Sequence, residues 1–268
     1  MEEQEIQFVP DGTGWILVMD EVAHSWVDLD DPLRLEFAYM RRVADYLDTA
    51  APPGERMRVI HIGGGALTMA RYIAARRPTS PQIVLEPNED LTAPVRDKLP
   101  LPAHSGIKVR ATDGRTGLTQ MPDDYAQVII VDAFADARVP PSLVSVEFFA
   151  ECFRVLNPDG LLLFNVIDIF PLTWTKRVLA GIARFADHLA LSAEPAVLKG
   201  HRHGNLVLAA SRAPLDTDLI VRLAAGSAFP CRIVHDEQLT KFMGGASAFY
   251  DDEAEGSPKV VRGLLHFE

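Results

Sequence analysis

From Met57 onward, short apolar runs alternate with stretches of helical spacing. The runs are MRVIHI (57–62), QIVLEP (82–87), IKVRAT (107–112), AQVIIVDA (126–133), GLLLFNVI (160–167), GNLVLAAS (204–211) and CRIVHD (231–236). Each is apolar almost throughout rather than at alternate positions, which predicts strands covered on both faces. Between most of them lie amphipathic segments: ALTMARYIAARR (66–77), EDLTAPVRDKL (89–99), PSLVSVEFFAECFRVL (141–156), TWTKRVLAGIARFADHL (173–189) and TDLIVRLAAGS (217–227). These predict helices, with Pro94 working against the second.

The first fifty residues read differently. GWILVMDEVAHSWVDL (14–29) predicts two short strands with a turn near Asp20–Glu21. DDPLRLEFAYMRRVADYLDTA (30–50) predicts a helix capped by Asp31, with Pro32 in its first turn. APPGER (51–56) then interrupts the chain. The pattern implies two parts: a small N-terminal β-hairpin element with its linking helix (1–52), and an α/β domain (53–268). For the second part, seven strands and their intervening helices fit a Rossmann-like, methyltransferase-type doubly wound sheet. The segment YDDEAEGSPKVVRG (250–263) has loop composition and is expected to be loosely ordered.

Composition narrows the partners. The net charge is −11, from 26 basic and 37 acidic residues, and the short basic pairs form no stripe. That argues against a nucleic-acid partner and favours small cationic ones. No apolar run reaches the roughly 18 residues of a membrane span, so no membrane partner is expected. The acidic start MEEQEIQF reads as neither a secretory nor a transit segment, and the expected compartment is the cytoplasm. Cys152 and Cys231, the only cysteines, suit neither a disulfide framework nor a zinc site, and no metal is expected.

In an open α/β sheet, ligands bind outside the carboxyl ends of the strands. Four predicted strands end in a glycine or polar feature. After the first stand Gly63, Gly64 and Gly65, which permit a tight turn and close backbone approach before a helix N-terminus. A third glycine of a G-x-G-x-x-G fingerprint would fall at Thr68, so the dinucleotide pattern is incomplete. Glu86 ends the second strand, placed to accept from both ribose hydroxyls and to repel a 2′-phosphate. Asp113 and Gly114 follow the third, with Asp113 suited to an adenine amino group. Asp132 closes the fourth and Asp136 follows it, carboxylates that hold a cationic substrate or take its proton. Asn165, ending the fifth, faces the pocket or caps the strand. Together these ends point to an adenosine-containing ligand.

On these residues the chain resembles the polyamine aminopropyltransferases, the spermidine synthase family. LVMDEVAHS resembles the family's N-terminal hairpin, and LEFAYMRRVA its E-F-x-Y-[HQ]-E-M segment. VIHIGGGALT follows V-L-x-I-G-G-G-D-G-G in part, VLEPN follows V-E-I-D, and ATDGR follows G-D-G. AQVIIVDAFAD corresponds to Y-D-V-I-I-x-D-[ST]-[ST]-D-P, and VEFFAECFRVLNPDGLLLFNV to F-Y-x-x-x-x-x-x-L-x-x-x-G. The resemblance implies a transferase that moves an aminopropyl or related group from decarboxylated S-adenosylmethionine to a small amine, releasing methylthioadenosine, and a homodimer. Carried over, Asp132 is the catalytic acidic residue and Tyr39 a hydrogen-bonding partner near the nucleophile. Glu86 binds the ribose, Asp113 the adenine and His24 the sugar side, and Asp136 matches the second family aspartate, on the amine side. Asn165, from its own place at a strand end, is a further candidate for the amine.

Four departures fall on the amine side. Ala66 stands where the family's glycine loop carries an aspartate, and Met40–Arg41 replace a His/Gln–Glu pair. Asp136 lies one residue further from Asp132 than the second family aspartate, and LKGHRHGNLVLAAS replaces a Tyr-Pro segment. Two other functions therefore stay open: an S-adenosylmethionine-dependent methyltransferase and a non-catalytic nucleoside-binding homologue. His201 and His203 read as a basic loop rather than metal ligands, and His61 as a core residue. Ser25, Ser142 and Ser145 lack a nucleophile-elbow context.

Overall fold

A three-stranded antiparallel meander comes first: β1 (Ile6–Asp11), β2 (Gly14–Met19) and β3 (Val22–Val27). Helix α1 (Ala38–Ala50) leads to β4 (Val59–Ile62), α2 (Thr68–Arg76), β5 (Gln82–Leu85), α3 (Glu89–Lys98), β6 (Ile107–Arg110), α4 (Gly114–Thr119) and β7 (Ala126–Val131). Then follow α5 (Val146–Val155), β8 (Leu156–Asp168), α6 (Thr173–Ile182), β9 (His188–Ala193), α7 (Pro195–Leu198), β10 (Gly204–Ser211), α8 (Thr217–Ala225), β11 (Arg232–His235) and α9 (Asp236–Met243). This computed structural model describes residues 5–259.

The large sheet has the order β11-β9-β10-β8-β7-β4-β5-β6, eight strands rather than seven. Strands β4 to β8 are parallel, and β9, β10 and β11 join antiparallel. Side chains of β4, β7 and β8 alternate between two cores. Ile60, Ile62, Ile129, Val131, Leu162 and Phe164 pack with α5 and α6. Val59, Val128, Ile130, Leu161 and Leu163 pack with α1, α2 and α8. The doubly wound α/β reading is correct. A smaller cluster joins the N-terminal sheet (Leu17, Met19, Val27) to α2 and α3 (Ala70, Leu91, Val95).

Several local expectations need correction. The predicted helix 173–189 ends at Ile182, and its last residues turn and enter β9. β9 is hydrogen-bonded on both sides, to β10 and β11, and this pairing overrides local helical spacing. β1 escapes the apolar pattern because it contains Pro10 and exposed residues, which an edge strand tolerates. Asp31 does not cap α1. The Asp28 carboxylate takes the amides of Asp30 and Asp31 (2.9 and 3.1 Å), making a turn there, and α1 begins at Ala38. Pro94 sits inside α3, which is held by the Asn88 cap on the Leu91 amide and by buried Leu91 and Val95.

The C-terminal segment is anchored as far as it is described. Phe249 O accepts from Val146 N, Glu255 O from Trp174 Nε1 (2.8 Å), and Ser257 is fully buried. Residues 260–263 of the expected loose tail lie outside the described residues. Among the described residues, no helix is long and apolar enough to cross a membrane.

Candidate functional site

The strand order reverses between β4 and β7, so the crevice at their carboxyl ends is the topological switch point of the sheet. Gly63 follows β4 on one side and Asp132 follows β7 on the other. Asp132 N donates to Ile62 O (2.9 Å) and Gly63 N to Leu85 O (3.0 Å), continuing the ladder to the rim.

Strand alternation decides which side chains meet there. Ile129 and Val131 face the α5/α6 core, so Asp132 faces the α1 side. Leu161 and Leu163 face α1, and Asn165, two residues on, does too. Helix α1 supplies Tyr39. The three converge: Tyr39 Oη donates to Asp132 Oδ2 (3.0 Å) and Asn165 Nδ2 to Asp132 Oδ1 (2.8 Å). Both carboxylate oxygens are thus held by neutral donors. Burial pushes the Asp132 carboxyl above its ordinary value, opposed by the bonds from Asn165 and Tyr39. Burial and the adjacent Asp132 charge hold the Tyr39 phenol well above 10, so it stays a donor. Asn165 is 2 % exposed, and its Oδ1 has no hydrogen-bond partner.

The glycine loop forms the opposite wall. Gly63 has φ +94°, and a Cβ there would lie 2.2 Å from the Asp132 carbonyl oxygen, so only glycine fits. Gly64 N donates to Glu86 Oε2 (2.8 Å), while Asn88 N donates to Oε1 (2.9 Å). The Glu86 carboxylate is therefore fixed beside the loop at the end of β5. Gly65 lies against Ser25 of β3, whose Oγ accepts from Ala66 N (3.2 Å). The N-terminal sheet thus braces the loop. Sequence reasoning weighed Ser25 only as a nucleophile and missed this contact, which joins residues 41 positions apart. Ala66 is 1 % exposed and packs with Leu17, Met19 and Val27, so an apolar wall occupies this position.

The remaining expected residues are placed as follows. His24 is the extra residue of a β-bulge, since Leu17 pairs with Ser25 and Val18 with Ala23. It is half-buried, and burial lowers its pKa, with Asp20 opposing. Asp113 is exposed and caps α4, accepting from Thr116 N (2.9 Å). Burial raises its pKa, but bonds from the Thr116 hydroxyl and nearby amides outweigh that and leave it lowered. Gly114 is buried against β4, where a Cβ would meet Ile62 Cγ2 at 2.2 Å, so the absent side chain lets α4 approach the sheet. Asp136 is exposed at the tip of a turn, with Asp136 and Ala137 both left-handed (φ 49° and 56°) and Ala135 and Arg138 exchanging backbone bonds (2.8 and 3.0 Å). It makes no hydrogen bond to the Tyr39–Asp132–Asn165 group. His61 is buried on Gln82 (2.8 Å), Ser145 caps α5, Ser142 and His201 are exposed, and His203 is buried. Neither of two cavities, about 470 and 380 Å³, is lined by Asp132, Tyr39 or Asn165.

Comparison with known proteins adds the context. No family model matches the chain. A crystal structure described as a probable spermidine synthase from Corynebacterium glutamicum is 32% identical, with a TM-score of 0.86, over 99% of this chain and 96% of that one. The polyamine aminopropyltransferase of Chromobacterium violaceum is 27% identical over 153 residues, 54% of this chain, and the match spans about half (54%) of that protein's length. Human methyltransferase-like protein 13 in complex with SAH shares the fold, at 17% identity and a TM-score of 0.59, over 80% of this chain and 96% of that one.

Proposed function

The chain belongs to the spermidine synthase family and is a transferase, and from that premise we propose that it transfers an aminopropyl or related group from an adenosyl sulfonium donor to a small amine. The observation that carries the reading is the Asp132 carboxylate, held by Tyr39 and Asn165 across the switch point from the glycine loop. A free alkylamine has a pKa of roughly 10 and is protonated at neutral pH, without a lone pair to attack. Asp132 binds that ammonium group and takes its proton, and its elevated pKa makes it a better base than an ordinary aspartate. Tyr39 and Asn165 keep the carboxylate from rotating, so the amine is aimed. Its lone pair forms the new C–N bond as the C–S bond of the sulfonium breaks. The electron pair of that bond returns to sulfur, leaving a neutral thioether nucleoside.

On the donor side, the glycine loop gives close backbone approach, Glu86 accepts from the ribose hydroxyls and Asp113 from the adenine amino group, with Gly114 behind it. His24 serves the sugar side, and Asp136 joins Asn165 in holding the amine. Decarboxylated S-adenosylmethionine is the proposed donor. A second reading, methyl transfer from intact S-adenosylmethionine, is favoured by Ala66, because this apolar wall offers no carboxylate to an aminopropyl ammonium.

Incubating the protein with each donor and a panel of diamines separates the two. Methylthioadenosine released only when donor and amine are both present supports aminopropyl transfer. S-adenosylhomocysteine from the intact donor instead supports the second reading. Saturable nucleoside binding with neither product would overturn both.

A further inference from the structure

We propose that a cavity beside the start of α1 binds a small organic oxyanion, a carboxylate or a phosphate ester. The cavity, about 470 Å³, lies between the 31–35 loop, α1, Tyr72 of α2 and the end of α8. Its size falls within the range of small-molecule sites. Three guanidinium groups line it, those of Arg34, Arg41 and Arg42, in a chain whose net charge is −11.

The arginines are incompletely used. Arg42 is 6 % exposed, and its Nε has no hydrogen-bond acceptor. Its Nη1 lies 2.9 Å from Asp45 Oδ2, an ion contact that lacks the alignment of a hydrogen bond. A buried guanidinium whose Nε and Nη1 make no aligned hydrogen bond is costly, and an oxyanion is its natural complement. Arg41 gives its Nε to Leu35 O and lies over the Phe229 ring (4.8 Å), and its two Nη groups have no protein acceptor among the described residues. Arg34 is tied to Glu36 and Thr13 and lies over the Trp26 ring (4.7 Å).

The helix adds a separate reason. Arg41 stands in the first turn of α1, Arg42 follows it, and that turn holds no acidic residue. Cations at the positive end of a helix dipole are unfavourable, and a bound anion offsets both. Two carboxylates also line the cavity. Asp45 is committed to Arg42, and Asp31 is exposed, which leaves the anionic group of a ligand to Arg41 and Arg42. Leu33, Leu35 and Leu223 supply an apolar wall for the rest of the molecule. Met40–Arg41 is also where the sequence departs from the family's His/Gln–Glu pair, reversing a charge.

The test is titration calorimetry on the full chain with glycerol 3-phosphate and with succinate, each against sodium chloride at matched ionic strength. Saturable binding of at least one probe is expected, and the two arms tell phosphate from carboxylate. Arg41→Gln should weaken that binding about tenfold or more, the loss of one charge-assisted bond. Arg42→Gln should do the same if circular dichroism shows it folded, and Arg41→Glu decides if it is not. Asp132→Asn should bind as the parent does. No saturable binding of either probe, unchanged binding in Arg41→Gln, or loss of binding in Asp132→Asn would overturn the proposal.

Discussion

Asp132→Asn is the most direct probe of the site. Asparagine has almost the same shape, and the surroundings accept it. Its Oδ1 can take the Asn165 Nδ2 bond now made at 2.8 Å, and its Nδ2 can donate to the Tyr39 hydroxyl, which accepts as well as donates. The packing is preserved and only the charge is lost. For turnover, a base that deprotonates the nucleophile contributes about 10² to 10⁴ in rate, so kcat/KM should fall by that factor, equal to about 3–5 kcal/mol of barrier. Stability should move the other way. Burial raises the Asp132 pKa in the fold above its unfolded value, so the native state prefers the protonated acid. That preference is fully present at low pH and is lost as pH rises through the folded pKa. Above that pKa the parent carries a partly buried charge that the variant lacks. Asp132→Asn should therefore match the parent in acid and equal or exceed it at pH 7. The assays are chromatography of the thioether nucleoside and denaturant unfolding at two pH values. Turnover within tenfold of the parent would refute the catalytic role. A large loss of stability at pH 7 would show that the carboxylate is instead part of the scaffold.

Three further predictions follow from the same geometry. Tyr39→Phe removes the 3.0 Å bond, one of the two that hold the Asp132 pKa down, so the acidic limb of the pH–rate profile should move to higher pH and kcat should fall about tenfold. Gly63→Ala places a Cβ 2.2 Å from a backbone oxygen at φ +94°, which should destabilise the protein by about 2–5 kcal/mol in denaturant unfolding and abolish turnover. His61 is held neutral, its pKa lowered to about 4 by burial and partly restored by Gln82. It therefore contributes stability above pH 6.5 that is lost as pH falls towards 4, about 3 kcal/mol in all, and the difference in unfolding free energy between parent and His61→Leu should shrink over that window.

The sheet was legible because its central strands are buried on both faces, and a two-sided strand leaves an uninterrupted apolar run. The parts that stayed hidden depend on partners remote in sequence. β9 lay concealed in the tail of a helical pattern, because His188–Ala193 acquires its identity only by pairing with β10 and β11. β1 carries a proline and few buried residues, and it is recognisable only as the partner of β2. Asp31 was a plausible cap by residue type, but Asp28 had already drawn the chain into a turn there. Asp136 is placed by its backbone. A left-handed turn that its spacing from Asp132 does not announce carries it to an exposed tip.

The two halves of the site differ in how they are encoded. One half, the glycine loop with Glu86 and Asp113, lies at successive strand ends, where glycines and single carboxylates follow apolar runs and can be read in order. The other is assembled across the fold, from a helix before the sheet (Tyr39), the fourth parallel strand (Asp132) and the fifth (Asn165). The resemblance pairs Tyr39 with Asp132, and strand alternation explains why Asn165 joins them. Ala66 belongs to neither half in the simple sense. It lies in the glycine loop, yet its side chain is enclosed by Leu17, Met19 and Val27 of the N-terminal sheet. A carboxylate at this position would be buried among apolar groups unless a cation met it there. The alanine is therefore consistent with its own surroundings, and the small sheet that braces the loop through Ser25 also fixes how little charge that wall carries. On the proposed function, donor choice then follows from the contact between the two sheets and not from the glycine loop alone.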